Sequence, residues 1–346
     1  MCSKLQQLPE NLGGLQSLQV LYAAFLDSIS FQLLSLSGLC SLRILVLQKT
    51  DVMQGAIPSD ICCLSSLEQL NLSNCNLIEG GIPSEIYNLS SLRALSLGEN
   101  HFSSIPAGIN KLSQLRVLNL RHCQRLLQIP ELPSSLRLLD VHGCTLLETL
   151  SSPSSLLPSC LFKCFESTIQ DSECGINNWM FTYDHGYCYS QELKIFISSS
   201  GKPGWTRYQN EESMVSIELP WNWYRNNDLL GFALCSVYVP PDKESEDGHQ
   251  DGDDWCLECE LTIGGGHQFN LVDRFLFQCR WCDCRIDDVS SQVLVRYYPK
   301  IRIPSEYASN KSLKAAFRGY FKGKPVEVEN CGIHLIYANE QEPSRL

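Results

Sequence analysis

The sequence lacks a long hydrophobic run and an excess of basic residues. No stretch reaches the roughly 18 uncharged apolar residues that a membrane-spanning helix needs, and the amino-terminal segment has no apolar core of a secretory signal. Among the 346 residues, 38 are acidic and 27 basic, which gives a net charge of -11. A partner held mainly by its phosphates needs the opposite balance. We therefore expect a cytoplasmic chain, with a nuclear pool allowed, that neither spans a membrane nor binds nucleic acid.

Cysteine is too scarce for a disulfide scaffold. The chain has 18 cysteines in 346 residues, about 5%, whereas disulfide scaffolds hold roughly 8 to 10%. A chain of this length folds without such staples, so we expect reduced thiols.

Acidic residues are concentrated in one segment. Residues 242–254 hold seven carboxylates and one lysine, a net charge of -6 out of -11. The segment lacks the alternating oxygen ligands and the final glutamate of a calcium loop, which favours a solvated acidic loop over a metal site.

A leucine-rich phrase recurs six times within the first 150 residues. Its equivalent leucines are separated by 24, 25, 25, 23 and 21 residues, within the range of leucine-rich repeats, roughly 20 to 29. These leucines are Leu18, Leu42, Leu67, Leu92, Leu115 and Leu136. The phrase L-x-x-L-x-L places alternate residues of a short parallel strand in a core, and one repeat cannot bury that face alone. Residues 1–150 are therefore predicted to form an α/β leucine-rich-repeat solenoid of about six repeats.

One position of the repeat carries a small polar or thiol side chain. It lies three residues after the last strand leucine, where such a side chain fits inside the turn and reaches backbone groups of the neighbouring repeat. The residues at this position are Thr50, Cys75, Asn100, Cys123 and Cys144. We expect the three cysteines to be structural.

The strand residues that point out of the leucine core form the candidate binding surface, the concave face. Such a sheet usually binds another macromolecule, although a short array can instead mainly support its neighbour. The candidate residues are Tyr22, Ile44, Val46, Gln48, Gln69, Asn71, Ser73, Ser96, Val117, Asn119, Arg121, Asp140 and His142, with Val20, Ala94 and Leu138 in equivalent positions.

From residue 151 the repeat stops and short runs of alternating apolar and polar residues follow. Residues 151–170, rich in Ser and Pro at their start, are predicted to connect two domains. Runs of period two between Gly, Pro and Asn are typical of antiparallel strands, and several of them predict a β-sandwich. They begin at Glu192, Ser213, Cys256, Gln292 and Val326, whereas the continuously apolar run from Leu229 to Val239 is predicted to be a central strand. We assign residues 171–340 to this all-β domain, with the acidic loop 242–254 inside it.

Aromatic residues cluster early in that domain, at Trp205, Tyr208, Trp221, Trp223 and Tyr224. At least one tryptophan is expected in the core, but five aromatics beside polar residues are difficult to bury together, and exposed Trp and Tyr dominate binding hot spots. The candidate protein-binding residues here are Trp205, Tyr208, Trp223 and Tyr224, with core and interface roles both open.

Four phrases of this second domain are similar to a known family. They are PGW at 203–205, SIELPWNW at 216–223, LLGFALCSVYV at 229–239 and CGIHLIYA at 331–338. Together with repeats that carry Cys at the turn position, they resemble the C-terminal repeats and the jelly-roll/Ig-like domain of plant Toll/interleukin-1-receptor-type nucleotide-binding leucine-rich-repeat immune receptors. The resemblance implies disease resistance: the repeat sheet and the sandwich loops recognise a pathogen effector protein and thereby regulate a nucleotide-binding switch.

The sequence contains neither the phosphate-binding motif of that switch nor the NAD-cleaving domain of such receptors. We therefore expect a non-enzymatic recognition module in innate immune signal transduction, without catalytic residues or cofactors, whose switch domain acts in cis or in trans. As a hypothesis, one continuous surface is formed by Arg121, Asp140 and His142 together with Trp205, Trp223 and Tyr224.

Two other functions fit parts of the sequence. Cys256-x-x-Cys259 and Cys279-x-x-Cys282 have the spacing of a four-thiolate zinc site in an interaction domain. However, residues i and i+3 of a strand point to opposite faces, which favours buried thiols.

An extracellular leucine-rich-repeat ectodomain is the other alternative. Its glycosylation sites would be the sequons at Asn71, Asn88 and Asn310. The vicinal pair Cys62–Cys63 and the missing secretory signal argue against it.

Overall fold

The computed structural model describes residues 12–24, 36, 38–50, 56–141, 143–150, 194–198, 208–210, 212–226, 228–239, 253–264, 269–279, 292–300, 303–321 and 324–337. The chain divides into two compact units, Met1–Ser167 and Thr168–Leu346. The predicted connection 151–170 and most of the acidic loop 242–254 lie outside the described residues, so the domain boundaries at 150 and 171 stay predictions. Within the described residues, no helix is long and apolar enough to cross a membrane.

The first unit is built on six parallel strands of three residues each. They are β1 (Val20–Tyr22), β2 (Ile44–Val46), β3 (Gln69–Asn71), β4 (Ala94–Ser96), β5 (Val117–Asn119) and β6 (Leu138–Asp140), followed by the helix α1 (Thr145–Leu150). Consecutive strands pair so that equivalent repeat residues are opposite each other. Five of the six repeat leucines, Leu42 onward, are at most 1% exposed. The predicted leucine-rich-repeat architecture is confirmed.

Proline precedes three 3-10 turns on the side opposite to the sheet. The 3-10 turns Ser59–Cys63, Ser84–Asn88 and Ala107–Lys111 each follow a proline with φ between -58° and -59°. Proline fixes this φ and lacks an N–H, which suits the first position of a helical turn. A buried isoleucine in each turn packs into the array interior.

The chain leaves strands β2 to β6 through a left-handed residue at one repeat position. Non-glycine residues there have φ of 54° to 58°, and the sixth repeat uses Gly143 at 71°. A Cβ added to Gly143 would lie 2.2 Å from Nδ1 of His122. The other residues at this position are Lys49, Asn74, Glu99 and His122.

The small side chains of the repeat turns make the predicted bonds to neighbouring backbone. The Sγ atoms of Cys75, Cys123 and Cys144 donate to the carbonyl oxygens of Leu47, Leu97 and Leu120 at 3.0, 3.3 and 3.1 Å, and the hydroxyl of Thr50 donates to Ala23 at 2.9 Å. The amide of Asn100 donates to Leu72 and Leu97 and accepts from the N–H groups of Cys75 and Leu77. The three cysteines are structural, as predicted.

The described residues of the second unit form ten strands. They are β7 (Lys194–Ser198), β8 (Tyr208–Asn210), β9 (Met214–Glu218), β10 (Leu229–Tyr238), β11 (Asp253–Gly264), β12 (Phe269–Cys279), β13 (Gln292–Pro299), β14 (Ser312–Phe321), β15 (Lys324–Val326) and β16 (Val328–Tyr337). One antiparallel sheet has the order β7-β13-β10-β16-β8. The other has the order β12-β11-β14, and the far edge of β14 pairs with β9 and then with β15.

One apolar core is shared by both sheets of this unit. Phe232 and Ile333 reach it from the first sheet, and Leu261, Ile263 and Phe317 reach it from the second. The predicted antiparallel β architecture is confirmed, and the narrower jelly-roll/Ig-like class stays a prediction.

Candidate protein-binding surface

The concave face consists of two rows of side chains that flank the middle leucine of each strand, which is buried in β2 to β6. The strand register aligns Val20 with Ile44, and Tyr22 with Val46. The first row is Val20, Ile44, Gln69, Ala94, Val117 and Leu138, and the second row is Tyr22, Val46, Asn71, Ser96, Asn119 and Asp140.

Exposure of these rows decreases from β1 to β6. Val20 and Tyr22 are 42% and 49% exposed, whereas all three residues of β6 are buried. The middle strands are intermediate in the first row. The accessible end of the face is therefore apolar and lies on β1 and β2.

Several candidates of the concave face are buried. Gln48, Ser73, Ser96, Asn119, Arg121 and Asp140 are at most 8% exposed. The side-chain oxygens of Asn71 and Asn119 each accept the N–H two residues ahead at 3.0 Å. These amides therefore hold the turns after their strands. Because burial leaves little surface for a partner, the accessible candidates are Tyr22, Ile44, Val46, Gln69, Asn71 and Val117; His142 lies outside the described residues.

A row of charged residues borders the same face and was missed by the alternation argument. It comprises the residues directly after the repeat leucines, Arg43, Glu68, Arg93, Arg116 and Arg137, and is called the arginine row here. From Glu68 onward, each N–H in the row donates to the carbonyl oxygen of the preceding member at 2.8 Å. Arginine after the repeat leucine in four of these five phrases was the signal in the sequence.

Trp223 belongs to the core of the second unit. It is 1% exposed, its Nε1–H donates to the carbonyl oxygen of Asn310 at 2.7 Å, and its ring meets that of Tyr224 edge-on at 5.3 Å. The assignment of Trp223 to an accessible surface is therefore corrected. Tyr224 is half-buried, and its hydroxyl donates to the carbonyl oxygen of Ile303 at 2.9 Å. Tyr208 is also half-buried, and Trp205 lies outside the described residues.

Trp221 is the exposed member of the aromatic group, at 83%. It lies in a turn closed by hydrogen bonds from the N–H of Trp223 to Pro220 and from the N–H of Arg225 to Asn222, at 2.9 and 3.0 Å. The buried neighbour Trp223 fixes this turn to the core. Trp221 is thus exposed on a turn that is anchored to the core.

The first cysteine pair of the zinc alternative, Cys256 and Cys259, is divided between the two faces of β11. Cys259 lies in the core and Cys256 on the opposite face, while Cys279 is opposite Asp253, three positions from Cys256. Cys282 lies outside the described residues. In the part of the chain that the structure describes, no three His, Cys, Asp or Glu side chains are placed to hold a metal ion.

Comparison with known families gives two matches. Residues 197–342 match the C-JID domain, and residues 66–89 match the Leucine Rich Repeat. The first covers the strands of the second unit from the middle of β7 onward, and the second covers β3 and the turn after it.

Curated relatives are plant disease resistance proteins. The chain is 32% identical to disease resistance protein RUN1 of Vitis rotundifolia over 60% of its own length and 14% of the relative's. It is 35% identical to TMV resistance protein N of Nicotiana glutinosa over 68% of its own length and 21% of the relative's. The chain thus spans between 14% and 21% of the length of these relatives. Among solved structures, the complex of the Arabidopsis receptor kinase HAESA with the peptide hormone IDA and the co-receptor SERK1 matches 41% of this chain and 26% of that chain, at 24% identity and a TM-score of 0.32.

Proposed function

We propose, from the premise that this chain is the C-terminal repeat and C-JID part of a plant Toll/interleukin-1-receptor-type nucleotide-binding leucine-rich-repeat disease resistance protein, that it recognises a pathogen effector protein. Binding is non-covalent and regulates a nucleotide-binding switch outside this chain. The module is non-enzymatic, acts inside the cell, and its second unit is of the jelly-roll/Ig-like class.

The accessible apolar end of the concave face carries this proposal. Val20 and Tyr22 are large apolar residues of a regular sheet, yet they are 42% and 49% exposed. The partly exposed Ile44 and Val46 continue this patch across the register. Contiguous exposed apolar side chains with an aromatic anchor are typical of protein-binding surfaces.

Trp221 supports a second contact, on the sandwich. Its exposure exceeds that of the other large hydrophobic side chains that the structure describes. A rigid, exposed indole supplies contact area at small cost in side-chain entropy.

The test measures binding of purified full-length chain to individual effector proteins of a plant pathogen. For an effector that binds, Tyr22→Ala weakens the affinity by about tenfold or more, the cost of removing a hot-spot aromatic. Tyr87→Ala is the matched control, because Tyr87 is an exposed aromatic of the same array on a 3-10 turn, away from the sheet. An effector whose binding depends on Tyr87 and not on Tyr22 would place recognition elsewhere.

The extracellular alternative has its own test. Asn88 is an exposed sequon at the end of a 3-10 turn, where a glycan can be accommodated. An intracellular chain carries no glycan at Asn88 in native plant material. A glycopeptide containing Asn88 would contradict the proposed location.

A further inference from the structure

The first repeat of the array exposes leucines that the later repeats bury. Leu15 is 52% exposed, whereas the leucines at its position in the next four repeats are at most 1% exposed. Leu18 and Leu21 are half-buried, whereas the leucines at their positions in the later repeats are at most 3% exposed. The leucines equivalent to Leu15 are Leu39, Leu64, Leu89 and Leu112. Leu15, Leu18 and Leu21 are called the end face here.

The end face is exposed because of its position in the array, and the first repeat is folded like the others. The N–H of Leu18 donates to the carbonyl oxygen of Leu15 at 2.9 Å, as the N–H of Leu42 does to that of Leu39 at 3.0 Å. Among the strands that the structure describes, β1 pairs only with β2, in the regular parallel register. A repeat of such an array buries its leucines between two neighbours, and an end repeat that stays solvated carries a polar outer face. Here that outer face is leucine.

The end face lies in a stretch of the array that has no charged side chain. Residues 12–24 contain no Asp, Glu, Lys or Arg. Gln19 takes the position that the arginine row occupies in the later repeats, so the charged position common to the other five repeat phrases is neutral in the first. Net charge keeps proteins apart, and the whole chain has a net charge of -11. Two copies can approach through this face without repulsion between like charges.

We propose that the end face joins two copies of this chain into a dimer. The contact is two-fold symmetric, so the same surface lies on both copies, which suits a neutral and apolar face. The two-fold axis makes the two β1 strands antiparallel, and the outer edge of an edge strand is a template for such pairing. Leu21, the middle residue of β1, lies at the axis. The leucines of each copy then take the place of the missing neighbour for the other copy.

The dimer places the two concave faces side by side. In antiparallel pairing centred on Leu21, Val20 of one copy lies opposite Tyr22 of the other, and the two repeat sheets become one. The exposed apolar patch on β1 and β2 is then present twice, at the centre of the joined sheet. The inference does not rest on the proposed function, because the end face is separate from the concave rows and its contact needs no effector.

The experiment measures the molar mass of the full chain by light scattering as its concentration increases, under reducing conditions that exclude disulfide-linked dimers. We expect a dimer with a dissociation constant on the order of 10 µM, because a small contact gives a weak complex. Leu15→Glu places a carboxylate in the contact, and burying it there removes its water, so we expect dimerisation to weaken by about tenfold or more. Leu127→Glu is the matched control, because Leu127 is a 41% exposed leucine of the same array outside the end face.

Two further measurements separate dimerisation from effects on folding. Leu15→Ala removes apolar area without adding a charge, and we expect it to weaken dimerisation about threefold. Thermal unfolding of each variant at low concentration shows whether the array remains folded. In the unmodified full chain, hydrogen exchange of the backbone amides of β1 slows as the concentration increases, whereas that of β5 stays constant.

Two results would overturn the proposal. The first is a chain that stays monomeric at concentrations about tenfold above the expected dissociation constant; the end face would then be left to a partner of different sequence. The second is dimerisation that Leu127→Glu or Trp221→Ala weakens as much as Leu15→Glu does, which would place the contact on another exposed apolar side chain.

Discussion

The two tryptophans of the WNW phrase, Trp221 and Trp223, are separated by a single residue and differ in their exposure to solvent. Trp223 is buried, and its indole N–H bonds to Asn310, 87 residues further along the chain, while Trp221 is exposed. Composition and local pattern predicted that some of these aromatics are core residues. They could not predict which, because a contact over that sequence distance decides it.

Alanine substitutions at these two positions have different consequences. Trp223→Ala leaves a core cavity and an unpaired Asn310 carbonyl, so we expect a loss of about 3 to 5 kcal/mol in the free energy of unfolding. Trp221→Ala changes that free energy by less than about 0.5 kcal/mol but weakens binding to an effector. Urea unfolding and a binding assay on both variants check this. A stability loss at Trp221 equal to that at Trp223 would contradict the placement of an exposed Trp221 on an anchored turn.

Glu79 is an exposed carboxylate with four hydrogen-bond donors. The backbone and hydroxyl groups of Ser103 and Ser104 donate to it at 2.6 to 3.2 Å, and these bonds, that of the Ser103 hydroxyl first, lower its pKa from 4.5 to about 2. A depressed folded-state pKa stabilises the fold above the unfolded-state pKa, and this contribution is lost as the pH falls from 4.5 towards 2.

Glu79→Gln is therefore expected to lower stability at pH 7 and to lose this difference towards pH 2. Because the carboxylate is exposed and screened by solvent, the difference at pH 7 stays below about 1 kcal/mol. Thermal midpoints of both proteins across this pH range check the prediction. A difference in thermal midpoint that grows as the pH falls would contradict the prediction.

At the scale of elements, the repeat strands were predictable and several sandwich strands were not. Each repeat phrase repeats one local pattern, and parallel pairing to the next copy follows from that pattern. The strands β12 and β14 were missed. Asp273 and Arg274 interrupt the apolar pattern in the middle of β12, and Ala315, Ala316 and Gly319 give β14 a low β propensity. Pairing with β11, which contacts both, makes these segments strands.

Substitutions at the turn position of the repeat are expected to lower the free energy of unfolding by different amounts. The buried side chain of Asn100 donates to three carbonyl oxygens and accepts from two N–H groups, so Asn100→Ala is expected to lower the free energy of unfolding by about 3 to 5 kcal/mol. Cys123 makes a thiol bond to Leu97, whose carbonyl also accepts from Asn100, so Cys123→Ser, which keeps a donor, is expected to cost about 1 kcal/mol or less. Denaturant unfolding of the two variants measures both costs. An equal loss of stability in both variants would mean that the hydrogen bonds of Asn100 contribute no stability beyond the packing of the side chain at this position.

For the molecule as a whole, the sequence predicted which face of the sheet a strand side chain joins, but it did not predict whether solvent reaches that side chain. Strand alternation correctly directs Asn119 and Asp140 away from the leucine core, yet both are buried. The period of a strand states which face a side chain joins, whereas burial depends on everything packed over that face. The most accessible part of the concave face, on β1 and β2, could therefore be located only in the structure.

The decrease in side-chain exposure from β1 to β6 also predicts the order in which the repeats open locally. A repeat contacts only its neighbours, so stability adds along the array and the least buried repeat opens most often. Backbone amides of β1 and β2 are expected to exchange their hydrogen for deuterium faster than those of β5, measurable by mass spectrometry of peptides from the full chain. The same strands carry the exposed apolar patch. The surface available to a partner is then also the part of the array that opens most often. A bound partner would be detected as slower hydrogen exchange in β1 and β2 before the exchange of any other strand changes.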